Sequence, residues 1–82
     1  MNAYTLTLHI CNKYLKYAEI NRNLACKWAE VAKDYAEKGM DSVAMTADSF
    51  YREYMAFYAD FLKEAAHYRR EAKKHGHLKR FT

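Results

Sequence analysis

No proline interrupts this chain, and its two glycines, Gly39 and Gly76, stand far apart. The lack of proline leaves long helical segments unbroken. So few glycines exclude a Gly-rich phosphate cradle, which needs several close together. Cysteine is equally scarce. Cys11 and Cys26 lie in what reads as one helix, where a rise of about 1.5 Å per residue separates them by roughly 22 Å, too far for a disulfide. Two free thiols suit a reducing cytoplasm. No run approaches the roughly 18 apolar residues that cross a bilayer, and no charged n-region precedes an apolar h-region. The expectation is a non-secreted, soluble chain without a membrane partner.

Paired carboxylates and a Ser-His-Asp arrangement are also missing, so no enzyme is expected and no cofactor is implied. Cys11 and His9, two positions apart on a helix, point to different sides and make no nucleophile-base pair. Glu64 and His67 match the Glu-x-x-His element of di-iron bundles, but a second such element and further inward glutamates are lacking. Glu19, Glu30 and Glu37 fall on the solvent face. His67, Glu71 and His75 recur every four residues and would offer a surface cation two imidazoles and a carboxylate. Arg70 and Lys74 beside them oppose it, so adventitious binding is the most this cluster suggests.

What the chain has in quantity is aromatic surface: eight tyrosines, four phenylalanines and one tryptophan in 82 residues. In the first half Cys11, Tyr14, Ala18, Asn21, Ala25, Trp28, Ala32 and Tyr35 alternate by three and four, with Ile10, Tyr17, Leu24 and Val31 repeating every seven beside them. In the second half Ala44, Ala47, Tyr51, Tyr54, Tyr58, Phe61, Ala65, Tyr68 and Ala72 do the same. Phe50 and Phe57 flank them on one side, Met55 and Leu62 on the other. Each pattern is a wide helical face.

Lys38-Gly39-Met40-Asp41-Ser42 separates the halves, with Gly39 able to take the left-handed position after a helix and Asp41 or Ser42 able to cap the next. Gly76 follows Lys73-Lys74-His75 in the same manner. The reading is therefore all-α: a single domain over 1–82, helix 1 about 3–38, helix 2 about 41–75, and a basic tail over 76–82. A short extra helical turn near 41–49, capped at Thr46 or Asp48, is an alternative at the break. Alternation of Tyr4, Leu6, Leu8 and Ile10 with polar residues also fits a half-buried strand. With no second strand to join, a helical or irregular start is preferred.

Folding back at Gly39 levels Tyr14 with Ala65, Ala18 with Phe61, Ala25 with Tyr54 and Tyr35 with Ala44. Large meets small at each, as interdigitating layers require. Asn21 falls opposite Tyr58, where a register-setting hydrogen bond is expected. A chain this short buries only roughly 60 to 65% of its unfolded surface, and its stripes are wider than one hairpin can cover. Pairing of two hairpins into a four-helix bundle is the expected remedy. Tyr17, Tyr51, Met55 and Phe57, of types enriched at interfaces, are candidate partner-binding residues, and Ile20, on the otherwise polar face of the first helix, is a further one.

The charge of +4 is uneven: from His67 to Thr82 six cations, Arg69, Arg70, Lys73, Lys74, Lys79 and Arg80, stand against the single acid Glu71. Cations there complement the helix dipole, and with Tyr68 and Phe81 interleaved they form a candidate basic patch for nucleic acid. The leading expectation is a non-enzymatic helical interaction protein that occupies another macromolecule's surface. Such a chain suits a small regulator or inhibitor, a class that includes phage-type proteins disabling host machinery. The alternative is a nucleic-acid-binding module using the basic end.

Overall fold

The computed structural model describes residues 2–80, with side chains described through His75. Two helices, α1 (Ala3–Glu37) and α2 (Asp41–Arg80), fold back on one another as an antiparallel hairpin, and there is no strand among the described residues. The Cα trace measures 65 × 15 × 12 Å, a rod one hairpin thick.

α1 starts where Asn2 holds extended backbone and its Oδ1 accepts the Thr5 N–H at 2.8 Å, satisfying one of the free donors of the first turn. Residues 4–10 are thus helical, and the strand alternative is set aside: a lone strand leaves both edges unpaired, whereas the capped helix bonds its backbone internally. At the other end Gly39 takes φ +76°. Its N–H donates to the Ala36 carbonyl and the Met40 N–H to that of Tyr35, the paired bonds of a Schellman termination.

α2 begins at once. Asp41 and Ser42 lie inside its first turn instead of capping it, and the Met40 carbonyl accepts the Ala44 N–H. Asp41 contributes there through the positive end of the helix dipole. No separate turn of helix forms over 41–49. Thr46 donates to the Ser42 carbonyl, and Asp48 pairs with Arg52 at 2.9 Å. The helix also runs on through Gly76 to Arg80, correcting the expected stop near 75. Glycine in a helix interior costs only about 1 kcal/mol relative to alanine, and Leu78, Lys79 and Arg80 are good helix formers.

Replacing Gly39 with alanine is expected to lower stability. Nothing lies within 4 Å of an added Cβ, so the cost is that of the left-handed backbone alone, roughly 1 to 2 kcal/mol. A thermal melt against wild type at matched concentration checks this.

Among the described residues the buried ones are all small: Cys11, Ala18 and Ala25 on α1, and Ala44, Ala47, Ala65 and Ala72 on α2. Most stand seven or a multiple of seven apart, the spacing that keeps one seam facing a partner helix. Small side chains at these positions let the backbones come close, so the Cys11 thiol donates to the Ala65 carbonyl across the seam at 3.2 Å. Larger residues pack alongside. Tyr14 sits between Phe61 and Tyr68, with ring centroids 6.0 and 5.6 Å away, and Trp28 lies against Phe50 at 4.7 Å. These pairs give the levels expected from folding at Gly39 to within about a turn. Asn21 does not bond across the seam. Its Nδ2 donates to the Tyr17 carbonyl of its own helix at 2.8 Å, a partner every helix makes available to a side chain one turn on.

Candidate interaction surface

Of the wide faces on both helices, the hairpin closes only the seam, and among the described residues no large side chain is fully buried. One flank of the rod is consequently a row of apolar groups. α1 contributes Tyr17, Leu24 and Val31, seven apart, with Ile20 beside them. α2 contributes Val43, Phe50 and Phe57, also seven apart. Aromatic contacts between the helices tie both sets to the same side: Tyr17 packs on Phe61 at 5.6 Å and Phe50 on Trp28, while Phe57 lies edge-on to Tyr54 of its own helix at 6.2 Å. Tyr17 stays 40% exposed, Ile20 47%, Phe50 39% and Phe57 44%. A shallow groove of about 400 Å³ borders this flank, lined by His9, Asn12, Lys13, Lys16, Tyr17 and Ile20.

The structure therefore brings together three of the five sequence-predicted contact residues, Tyr17, Ile20 and Phe57. Tyr51 does not join them. It shares the seven-residue spacing of Ala44, Ala65 and Ala72, and so faces the seam half-buried. Met55, also half-buried, falls with Leu62 on the opposite flank. Charge breaks up that second flank, where Arg22, Asp41, Asp48 and Arg69 interrupt Leu15, Met55 and Leu62. Phe50 and Val43 were not among the predicted contacts, although the spacing Val43, Phe50, Phe57 carried the signal.

At the basic end Arg69, Arg70, Lys73 and Lys74 are exposed, while the side chains of Lys79 and Arg80 lie outside those described. Lys74 donates to Glu71 Oε1 at 3.2 Å. That hydrogen bond, with the ammonium charge, holds the Glu71 carboxyl below its ordinary value, and His67 and His75 add to the lowering. Among the described residues no group of three His, Cys, Asp or Glu side chains is placed to hold a metal. Cys26 is an exposed thiol and Cys11 a buried one. No described helix is long and apolar enough to cross a membrane.

No family model, no curated protein and no solved structure matches this chain.

Proposed function

We propose that this protein is a non-enzymatic helical interaction module, acting by laying the flank of Tyr17, Ile20, Phe50 and Phe57 against another protein surface. A small regulator or inhibitor works in this way, by occupancy and without chemistry. The observation that carries the reading is that these large apolar groups stay exposed in one row while the hairpin's buried set is alanine and cysteine. Monomeric proteins rarely leave so continuous an apolar patch wet, and aromatic groups of this kind dominate interface energetics.

The test is association measured with and without the row. Tyr17→Ala and Phe57→Ala should each weaken binding to the captured protein by about 2 kcal/mol, roughly thirtyfold in Kd, as truncation at a hot spot does. Capture should survive nuclease treatment. Binding unchanged in both variants would remove this flank from the interaction.

A second reading has its own observation. Arg69, Arg70 and Lys73 are exposed and make no ion pair among the described residues, on the same stretch of α2 that carries Lys74, and the helix continues beyond them. Such a cluster suits sequence-tolerant phosphate contact. Changing these four residues to Gln would then weaken nucleic-acid binding across all sequences and flatten its salt dependence.

A further inference from the structure

Resting on the interaction reading above, we infer that the apolar flank is an interface for a second copy of this chain, docked so that α1 of each copy lies against α2 of the other. Area and charge both point there. The two-helix face is as long as α1, 35 residues or about 52 Å, and 15 Å wide, so it presents roughly 800 Å² per copy, the ~800 Å² per partner of a standard stable interface.

The rims of this flank carry opposite charge. Beside the α1 row stand Lys13 and Lys27, one helical position further round. Beside the α2 row stand Glu53 and, within it, Glu64. All four are exposed. The ion pairs among the described residues are Asp48 with Arg52 and Glu71 with Lys74, so these four are not consumed within the hairpin.

Two isologous, face-to-face dockings are geometrically open to the rod. A two-fold axis parallel to the helices keeps every residue at its own level and sets α1 across from the partner's α2. Cys11 bonds the Ala65 carbonyl and Trp28 packs on Phe50 within one chain, so Lys13 shares a level with Glu64 and Lys27 with Glu53. In the dimer these become two Lys–Glu pairs, each made twice by symmetry. The apolar rows meet between them, giving a four-helix bundle with every neighbour antiparallel.

The other axis lies across the helices and sets α1 on α1 and α2 on α2, running oppositely. Centred on the rod, that docking brings Lys13 to Lys27 and Glu53 to Glu64. Like charges then meet at all four of these positions and select against it, while Asp34, on the same rim as Lys13 and Lys27, meets only Leu6. The second flank offers no competing surface, because Arg22, Asp41, Asp48 and Arg69 break its apolar continuity.

Charge exchange read by sedimentation equilibrium at low salt tests the arrangement. Wild type should be a dimer at micromolar concentration. Lys13→Glu with Lys27→Glu, or Glu53→Lys with Glu64→Lys, should weaken it on the order of tenfold in Kd, since each exchange turns four attractive contacts repulsive. All four substitutions in one chain should restore the wild-type Kd. Restoration by further exposed substitutions also shows that the weakened variants lost pairing and not fold.

A monomeric wild type overturns the inference. If such a monomer still captures another protein in a manner lost with Tyr17→Ala or Phe57→Ala, the interaction reading stands without it. Pair exchanges that leave Kd unchanged, or a quadruple exchange that fails to restore it, overturn the α1-on-α2 docking. Dimers indifferent to Phe57→Ala overturn this interface, and the flank's proposed role falls as well only if capture of another protein is equally indifferent to Phe57→Ala.

Discussion

Replacing Ala25 with phenylalanine is expected to destabilise the hairpin by roughly 1 to 3 kcal/mol, through overpacking at a site with no room. Ala25 is fully buried on the seam between Ala18 and Trp28. Trp28, one turn on, packs against Phe50, which puts Ala25 at the level of Tyr54 on α2. A ring inserted there must either push the helices apart or leave its rotamer. Moving the helices apart also breaks the close approach that permits the Cys11 to Ala65 hydrogen bond. In a chain of this size each kcal/mol shifts Tm by roughly 4 to 8 °C. Thermal unfolding followed by circular dichroism at fixed protein concentration gives the result. A melt at the wild-type temperature would mean that α1 does not present Ala25 to α2.

Replacing Tyr14 with alanine should cost more, about 2 to 4 kcal/mol. Tyr14 stacks on Tyr68 nearly parallel, with an interplanar angle of 8°, and its ring also meets Phe61 and Tyr17. It thus joins three aromatic partners at the open end of the hairpin, away from the Gly39 turn. Truncation removes apolar burial and three ring contacts together, and the half-exposed site collapses only in part. Tyr14→Phe retains the ring and should sit within about 1 kcal/mol of wild type, because among the described residues the hydroxyl makes no hydrogen bond that holds the cluster. Equal losses in both variants would contradict this account. Hydrogen exchange should show the damage concentrated in amides of residues 8–20 and 58–72, where the cluster sits.

The two halves, the turn and the pairing levels are legible in the amino-acid sequence. Their signals are local or periodic: the three-four spacing around Ala18, Ala25, Ala47 and Ala65, and a glycine placed after a lysine. The contact residues are only partly legible. Tyr17, Ile20 and Phe57 share a flank, but Tyr51 turns into the seam and Met55 away from it, because a wide stripe does not disclose which of its edges meets the other helix. Asn21 has two ways to satisfy its amide, and the nearer one, a carbonyl on its own helix, wins.

Two long helices with small residues on their facing sides follow from helical periodicity and the absence of proline, both of them properties of the chain. Tertiary structure alone decided which glycine ends a helix. Gly39 and Gly76 carry the same local signal, each following a basic residue, yet α1 stops at the first and α2 passes through the second. At Gly39 the reversal lets α2 bury its alanines against α1, and that burial, added to the Schellman bonds, outweighs the continued helix. At Gly76 no neighbouring helix rewards a reversal, so the backbone keeps its ladder at a cost of about 1 kcal/mol. The same contest between local preference and packing set the flank that remains exposed. Once the seam closed on side chains no larger than alanine and cysteine, Tyr17, Phe50 and Phe57 were left outside it.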